Sequence, residues 1–429
     1  MSPKGVNRMK TRSSKSAFAL GFLAVPLMLG TAFAQDNQEI YNEIADEVAE
    51  IRELELLDPL EVDEKSRDEL REETREDLEE DYPLEEREDD QRVLVAFGLL
   101  NPEDDLGELF VDLLGEQVAG YYDPETDEMV VVRSGDGDGD ELSVSDRVTF
   151  AHEAVHALQD QHFDLEIYTD IRIEGTSDES LAITALIEGD ATLAQIDYIL
   201  SDVRLARLFL DELESNDVST ESLDRAPPIL VATLLFPYTE GQVFAQYLFD
   251  EGGWDLINEA YENPPTTTEQ ILHPEKYLDG EGGIDVRVPD LSEALGDEWR
   301  TLDDDTMGQF LISVVLSDAD MSEDQVQVAS EGWGGDAYTV VANDDDAVIA
   351  WSTEWDTEED AAEFATALAV REGFRLDADP EAEGDSVLIL ADEAVVQIVL
   401  DGTAVTYVQA PDGKTLEAVL EALGRDPRT

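Results

Sequence analysis

Residues 150–164 read FAHEAVHALQDQHFD and hold three of the chain's four histidines, His152, His156 and His162; the fourth is His273. Within the stretch, His152, Glu153, Ala154, Val155 and His156 spell H-E-x-x-H. Val148, Phe150, Ala151, Val155 and Leu158 supply apolar neighbours, so a helix is predicted from Asp146 to about His162. Four residues advance a helix by about 400°, which puts both imidazoles on one face, one turn apart. At that separation two neutral rings can share one tetrahedral zinc ion. Glu153 can reach a water on such an ion and accept its proton. Random placement of these residue types would give roughly 0.004 such motifs in a chain of this composition. The competing reading is a pair of core histidines satisfied by hydrogen bonds.

A third ligand is needed, and two candidates compete. His162 follows His152 by the H-x-x-x-H-x-x-G-x-x-H spacing of metzincins, but Gln159 stands where that pattern has a helix-ending glycine. If the helix continues, His162 points about 80° from His152 and about 120° from His156, off the metal face. Glu188 lies in SLAITALIEGDATLAQIDYIL (180–200), a largely apolar helix in which an unpaired carboxylate would be costly. Gly189 beside it weakens a helix, which implies that something packs closely against the backbone there. Glu188 is the favoured ligand.

His152-Glu153-x-x-His156 followed by Glu188-Gly189-Asp190-Ala191 resembles the gluzincin arrangement of zinc metallopeptidases. The combination AHEAVHALQDQHFDL (151–165), ALIEGDATL (185–193) and PPTTTEQILHPEKYL (264–278) is similar to a group of uncharacterised exported proteins of haloarchaea and bacteria. The likeness spans about residues 90–370. It implies an α+β fold whose mainly helical, zincin-like metallopeptidase domain carries a small β-hairpin. Zn2+ would be held by His152, His156 and Glu188, with water in the fourth position and Glu153 as general base. It also implies a peptide or protein substrate, aligned along an edge strand at Met129–Arg133. Asp190, about 200° round its helix from Glu188, is a doubtful supporting partner.

Zinc hydrolases also need a donor for the developing oxyanion. His273, delivered just before Pro274, and Tyr238 in FPYTEGQVF (236–244) are the candidates. The alternatives are a turn histidine bonded to backbone and a core or rim tyrosine.

Composition narrows the setting. The 429 residues include 105 Asp+Glu against 26 Lys+Arg, a net charge of −79, yet 42% are hydrophobic. Such a field makes nucleic acid and anionic head groups poor partners, while the apolar share argues against wholesale disorder. With no cysteine, disulfides, thiolate ligands and a cysteine nucleophile are excluded. Beyond residue 34 the only lysines are Lys65, Lys276 and Lys414. This balance looks like a protein of an extreme halophile, because molar salt screens carboxylate repulsion.

Residues 1–34 read as a signal peptide: a basic leader, an apolar run and Ala32-Phe33-Ala34 as cleavage site. An uncleaved anchor is the alternative. Residues 35–92 are expected to form an acidic, solvated helical arm, and 93–325 the zincin-like domain. Residues 326–429, with strands alternating with helices, are expected to form a C-terminal α+β domain. Trp333, Trp351 and Trp355 read as its core. Asp136, Asp138 and Asp140 imitate the start of a calcium loop, but Glu141 and Arg147 fill positions where such a loop needs glycine and glutamate. The reading favoured is an exported, salt-adapted zinc hydrolase, a peptidase. Its rival is a non-catalytic cell-surface or binding protein with a structural metal site.

Overall fold

The computed structural model describes residues 37–133, 142–215, 221–317, 321–425 and 427. The expected leader with its cleavage site and the acidic tract 134–141 lie outside the described residues. Among the described residues no helix is long and apolar enough to cross a membrane.

The first elements among the described residues are α1 (Gln38–Arg52), β1 (Val62–Lys65), α2 (Arg67–Asp81), α3 (Leu84–Ala96) and α4 (Leu106–Gln117). In α1, Tyr41, Ile44, Ala45 and Val48 fall at helical spacing and are buried, with Tyr41 against Phe150 at 4.6 Å between ring centroids. The expected solvated arm is therefore corrected: its first helix belongs to the main core. Four apolar positions among many carboxylates suffice for one buried stripe.

β1 pairs in parallel with β3 (Glu128–Val132), and β2 (Gly120–Asp123) pairs antiparallel with β3 on its other side. The expected edge strand at Met129–Arg133 is thus the centre of a three-stranded sheet, and its free edge on the β2 side belongs to Gly120–Asp123.

Next comes α5 (Val144–Phe163), started by a capping box in which Ser143 and Asp146 satisfy each other's backbone amides. It ends only where Asp164 turns left-handed at φ 58. A short α6 (Glu166–Glu174) leads to α7 (Ser177–Ser201) and α8 (Val203–Ser215), which break at Asp202. After α9 (Glu221–Arg225), α10 (Pro228–Glu262) comprises two helices that meet at Gly253, φ 69. The small helices α11 (Thr268–Leu272), α12 (Pro274–Asp279) and α13 (Ser292–Leu295) follow.

The C-terminal layer begins at β4 (Arg300–Asp305), ahead of the boundary expected at residue 326. It continues through α14 (Gly308–Ser317), α15 (Glu323–Ser330), β5 (Trp333–Ala342), β6 (Ala347–Trp355), α16 (Glu358–Arg375), β7 (Glu381–Glu383), β8 (Ser386–Leu390), β9 (Val395–Asp401), β10 (Ala404–Ala410) and α17 (Gly413–Ala422). The strands form one antiparallel sheet in the order β4-β5-β6-β10-β9-β8-β7. Phe364 of α16 packs on Trp351 and Trp355, while Leu416, Val419 and Leu420 of α17 join Val341, Val348 and Val408 in a second cluster. Trp333, Trp351 and Trp355 are core, as the sequence suggests. The layer is tied to the helical part through the Asp305 carboxylate, which accepts from the Ser177 amide at the start of α7. The whole is an α+β fold.

Candidate metal centre

His152, Glu153 and His156 project from α5, and all three are buried. Glu188 of α7 faces them. Its Oε2 lies 3.0 Å from His152 Nε2 and 3.3 Å from His156 Nε2, and the two ring nitrogens are 3.1 Å apart. The rings stand at 84° to each other, edge to face rather than stacked. A tetrahedral ion with bonds of about 2.0–2.1 Å has donor–donor edges of about 3.3 Å, close to these separations. Two imidazole nitrogens and a carboxylate oxygen form a suitable donor set, so the three residues could hold a metal ion.

Close helix contact brings Glu188 there. A Cβ on Gly189 would lie 2.1 Å from the Gly241 carbonyl oxygen, and one on Gly241 would lie 2.2 Å from that of Ala185. Only backbone fits between α7 and α10 at this crossing, as the glycine beside Glu188 implies. Burial alone would raise the Glu188 carboxyl, but the His156 and His152 rings outweigh it and hold the group far below the usual carboxylate range. Burial also opposes charge on His156, yet Glu188 and Glu153 raise it from 6.5 to about 9. Each partner stabilises the other's charged form, so positive charge is favoured where the donors meet.

Glu153 has the opposite balance. Burial pushes its carboxyl up, against the lowering pull of the two rings and of the Tyr122 backbone amide. Gly120 of β2 brings the strand onto this side chain: a Cβ there would lie 2.9 Å from Thr149 Cγ2 and 3.3 Å from Glu153 Cγ. His152, His156, Glu188 and Glu153 line a cavity of about 510 Å³. The same cavity is walled by β2, by Tyr238 and Leu234 of α10 and by Leu70 and Thr74 of α2. The acidic N-terminal segment thus contributes a wall.

Of the two oxyanion candidates, Tyr238 is at the cavity, its ring centroid 5.9 Å from that of His152. His273 is not among the residues that line the cavity; its Nε2 meets Gln309 Nε2 at 3.1 Å, at the junction of α11 and α12. His162 is not brought to the triad either. Because α5 stays helical to Phe163, its Nε2 reaches the Glu55 carbonyl at 2.8 Å. Gln159, read only as a missing glycine, meets His156 Nδ1 through its Oε1 at 2.8 Å. The i, i+3 spacing from a ligand histidine was the available signal.

A family profile described as Domain of unknown function (DUF8575) matches residues 298–420, the C-terminal layer from β4 onward and not the metal centre. No curated protein matches the chain, and no solved structure does.

Proposed function

We propose that this chain is an exported zinc-dependent hydrolase with a zincin-like domain, acting as a peptidase on peptides or proteins. One observation carries the reading: two histidines and a glutamate converge on the wall of a cavity, with a second, charge-disfavoured glutamate at their side. A structural zinc site closes its tetrahedron with four protein ligands. Among the described residues three converge here, and they face a space large enough for substrate.

Bound zinc would act as a Lewis acid that brings the pKa of water toward about 7. Glu153, buried beside the two rings, would take the water's proton and hand it to the leaving amine. Tyr238, on the cavity wall, would donate to the carbonyl oxygen as charge develops there. The β2 edge offers backbone groups to an extended peptide. Export through residues 1–34 and adaptation to molar salt belong to the same proposal and rest on the sequence.

The test is metal analysis and cleavage of casein or a peptide library in molar salt, wild type against Glu153→Gln. Wild type should carry about one zinc per chain and cleave. Glu153→Gln should keep the zinc and lose activity by about 10²–10⁴-fold, the span of a general base. Equal activity in the two proteins, or a zinc-loaded wild type that cleaves nothing, would leave the non-catalytic, structural-site reading in its place.

A further inference from the structure

Behind the metal centre lies a second set of polar groups, drawn from four helices that are distant in sequence. Gln159 Nε2 donates to the Ile187 carbonyl and to Asp190 Oδ2, each at 3.0 Å. Both amide protons are then spent, and the carbonyl end of the side chain must face His156. An acceptor 2.8 Å from His156 Nδ1 requires a proton on that nitrogen, so in the neutral ring that metal ligation needs, the lone pair sits on Nε2, 3.3 Å from Glu188 and 3.1 Å from His152.

Asp190 is itself fixed. Arg52 of α1 grips it through Nε at 2.7 Å and Nη2 at 3.1 Å, and the Tyr261 hydroxyl donates at 2.8 Å. Arg52 Nη2 also reaches Asn258 Oδ1 at 2.8 Å, and the guanidinium lies 4.6 Å from the centroid of the Trp254 ring. Both side chains of the Arg52–Asp190 pair are 0% exposed. A wholly buried ion pair is weak evidence for stability, because desolvation cancels most of its attraction. What it can supply is orientation and polarisation. A charged Asp190 turns the Gln159 amide so that its oxygen faces His156, which makes that ring a better ligand.

We propose that Gln159, Asp190 and Arg52 are positioning residues that hold His156 with Nδ1 protonated and Nε2 turned to the ion, so that α1 forms part of the metal centre. The proposal rests on the zinc reading of that centre. It assigns a task to the one basic residue of α1, a helix otherwise rich in carboxylates. It also reverses the expectation for Asp190. The side chain faces away from Glu188 because it serves the back of His156, where a supporting group has to stand.

Full-length wild type, Gln159→Leu, Asp190→Asn and the double variant are compared in molar salt. Zinc affinity is read by chelator competition, the cobalt(II) visible spectrum reports ligand geometry, and 15N-histidine labelling follows the His156 Nδ1 proton in the zinc-loaded protein. Gln159→Leu should weaken zinc about 10–100-fold, shift the cobalt bands and lose a slowly exchanging Nδ1 proton. Asp190→Asn should weaken zinc as well, and the double variant should be no worse than Gln159→Leu alone, because one path is cut only once. If Asp190→Asn fails to fold, Gln159→Met, close in shape and without the acceptor, replaces it and should match Gln159→Leu in all three readouts. Unchanged affinity and cobalt spectrum in Gln159→Leu, or losses from the two single changes that multiply, would overturn the positioning role while leaving the metal centre standing. A wild type that takes up neither zinc nor cobalt would overturn the metal centre and the positioning role with it.

Discussion

Asp90 lies in α3 with its carboxylate buried, accepting from the Tyr82 hydroxyl at 2.5 Å. Burial, opposed by that hydrogen bond and reinforced by nearby Asp303, pushes its carboxyl from 3.8 up to about 8. An acid with a raised folded pKa takes up a proton on folding. Its stabilising contribution is full below the unfolded value and is lost as pH rises to the folded one. Asp90→Asn keeps an acceptor for Tyr82 and removes the titration. The melting temperature of the variant relative to wild type should therefore climb between about pH 4 and pH 8 and level off above. A difference that stays flat over this range would show that Asp90 ionises normally. At this scale the converging triad was legible and the groups behind it were not. H-E-x-x-H and an oddly placed Glu188 are visible in one dimension, because a helix turns residue spacing into direction. Gln159 was read only as a missing glycine, and Asp190 only by its angle from Glu188. A supporting residue must face the other side of an imidazole, and which group stands there depends on Arg52, 138 positions away from Asp190.

The contact of α7 with α10 shows what an element contributes that a residue cannot. Gly189 and Gly241 let two helix backbones touch, and this places Glu188 at the correct depth opposite α5. Gly241→Ala would drive a methyl group to 2.2 Å from the Ala185 carbonyl oxygen. Neither backbone can yield locally, so the helices must part, at a cost of about 1–3 kcal/mol. Glu188 moves with α7, so zinc affinity should fall together with the urea midpoint. Gly413→Ala, where an added Cβ meets nothing within 4 Å, should leave both unchanged. Loss of stability without loss of zinc would detach the helix crossing from the metal centre. The helical periods of α5 and α7 and the packing at Gly189 were readable from sequence. The edge strand was misread for a physical reason. A hairpin is local, so β2 and β3 announce each other, whereas β1 joins the sheet in parallel from more than sixty residues upstream. No turn signal marks such a partner, and β3 became central instead of marginal.

The same non-local logic governs the whole molecule. Charge density suggested that residues 35–92 stay in solvent, yet α1 packs into the core and α2 walls the cavity. With a net charge of −79, few cations are available to compensate, and some serve several carboxylates at once. Lys276 lies 2.8 Å from Glu269, 2.7 Å from Glu281 and 3.1 Å from Asp356, so one ammonium joins α11, α12 and the end of β6. Such clusters offset only the repulsion within their reach. The remaining surface carboxylates repel over the Debye length, about 8 Å at physiological ionic strength and about 3 Å at 1 M. The folded state holds these charges closer together than the unfolded chain does, so dilution of salt penalises folding. The midpoint of thermal unfolding should therefore drop steeply as KCl is lowered from about 3 M to about 0.1 M. Zinc should raise it at every salt concentration, because an ion that binds only the folded state stabilises by mass action. The dry Arg52–Asp190 pair is shielded from bulk ions, so an excess of zinc should still protect at low salt and shift the loss of fold to lower KCl. A cooperative melt with the same midpoint across the salt series would show that the acidity is no adaptation to molar salt. A melt that responds to salt but not to zinc would instead separate the surface from the metal centre.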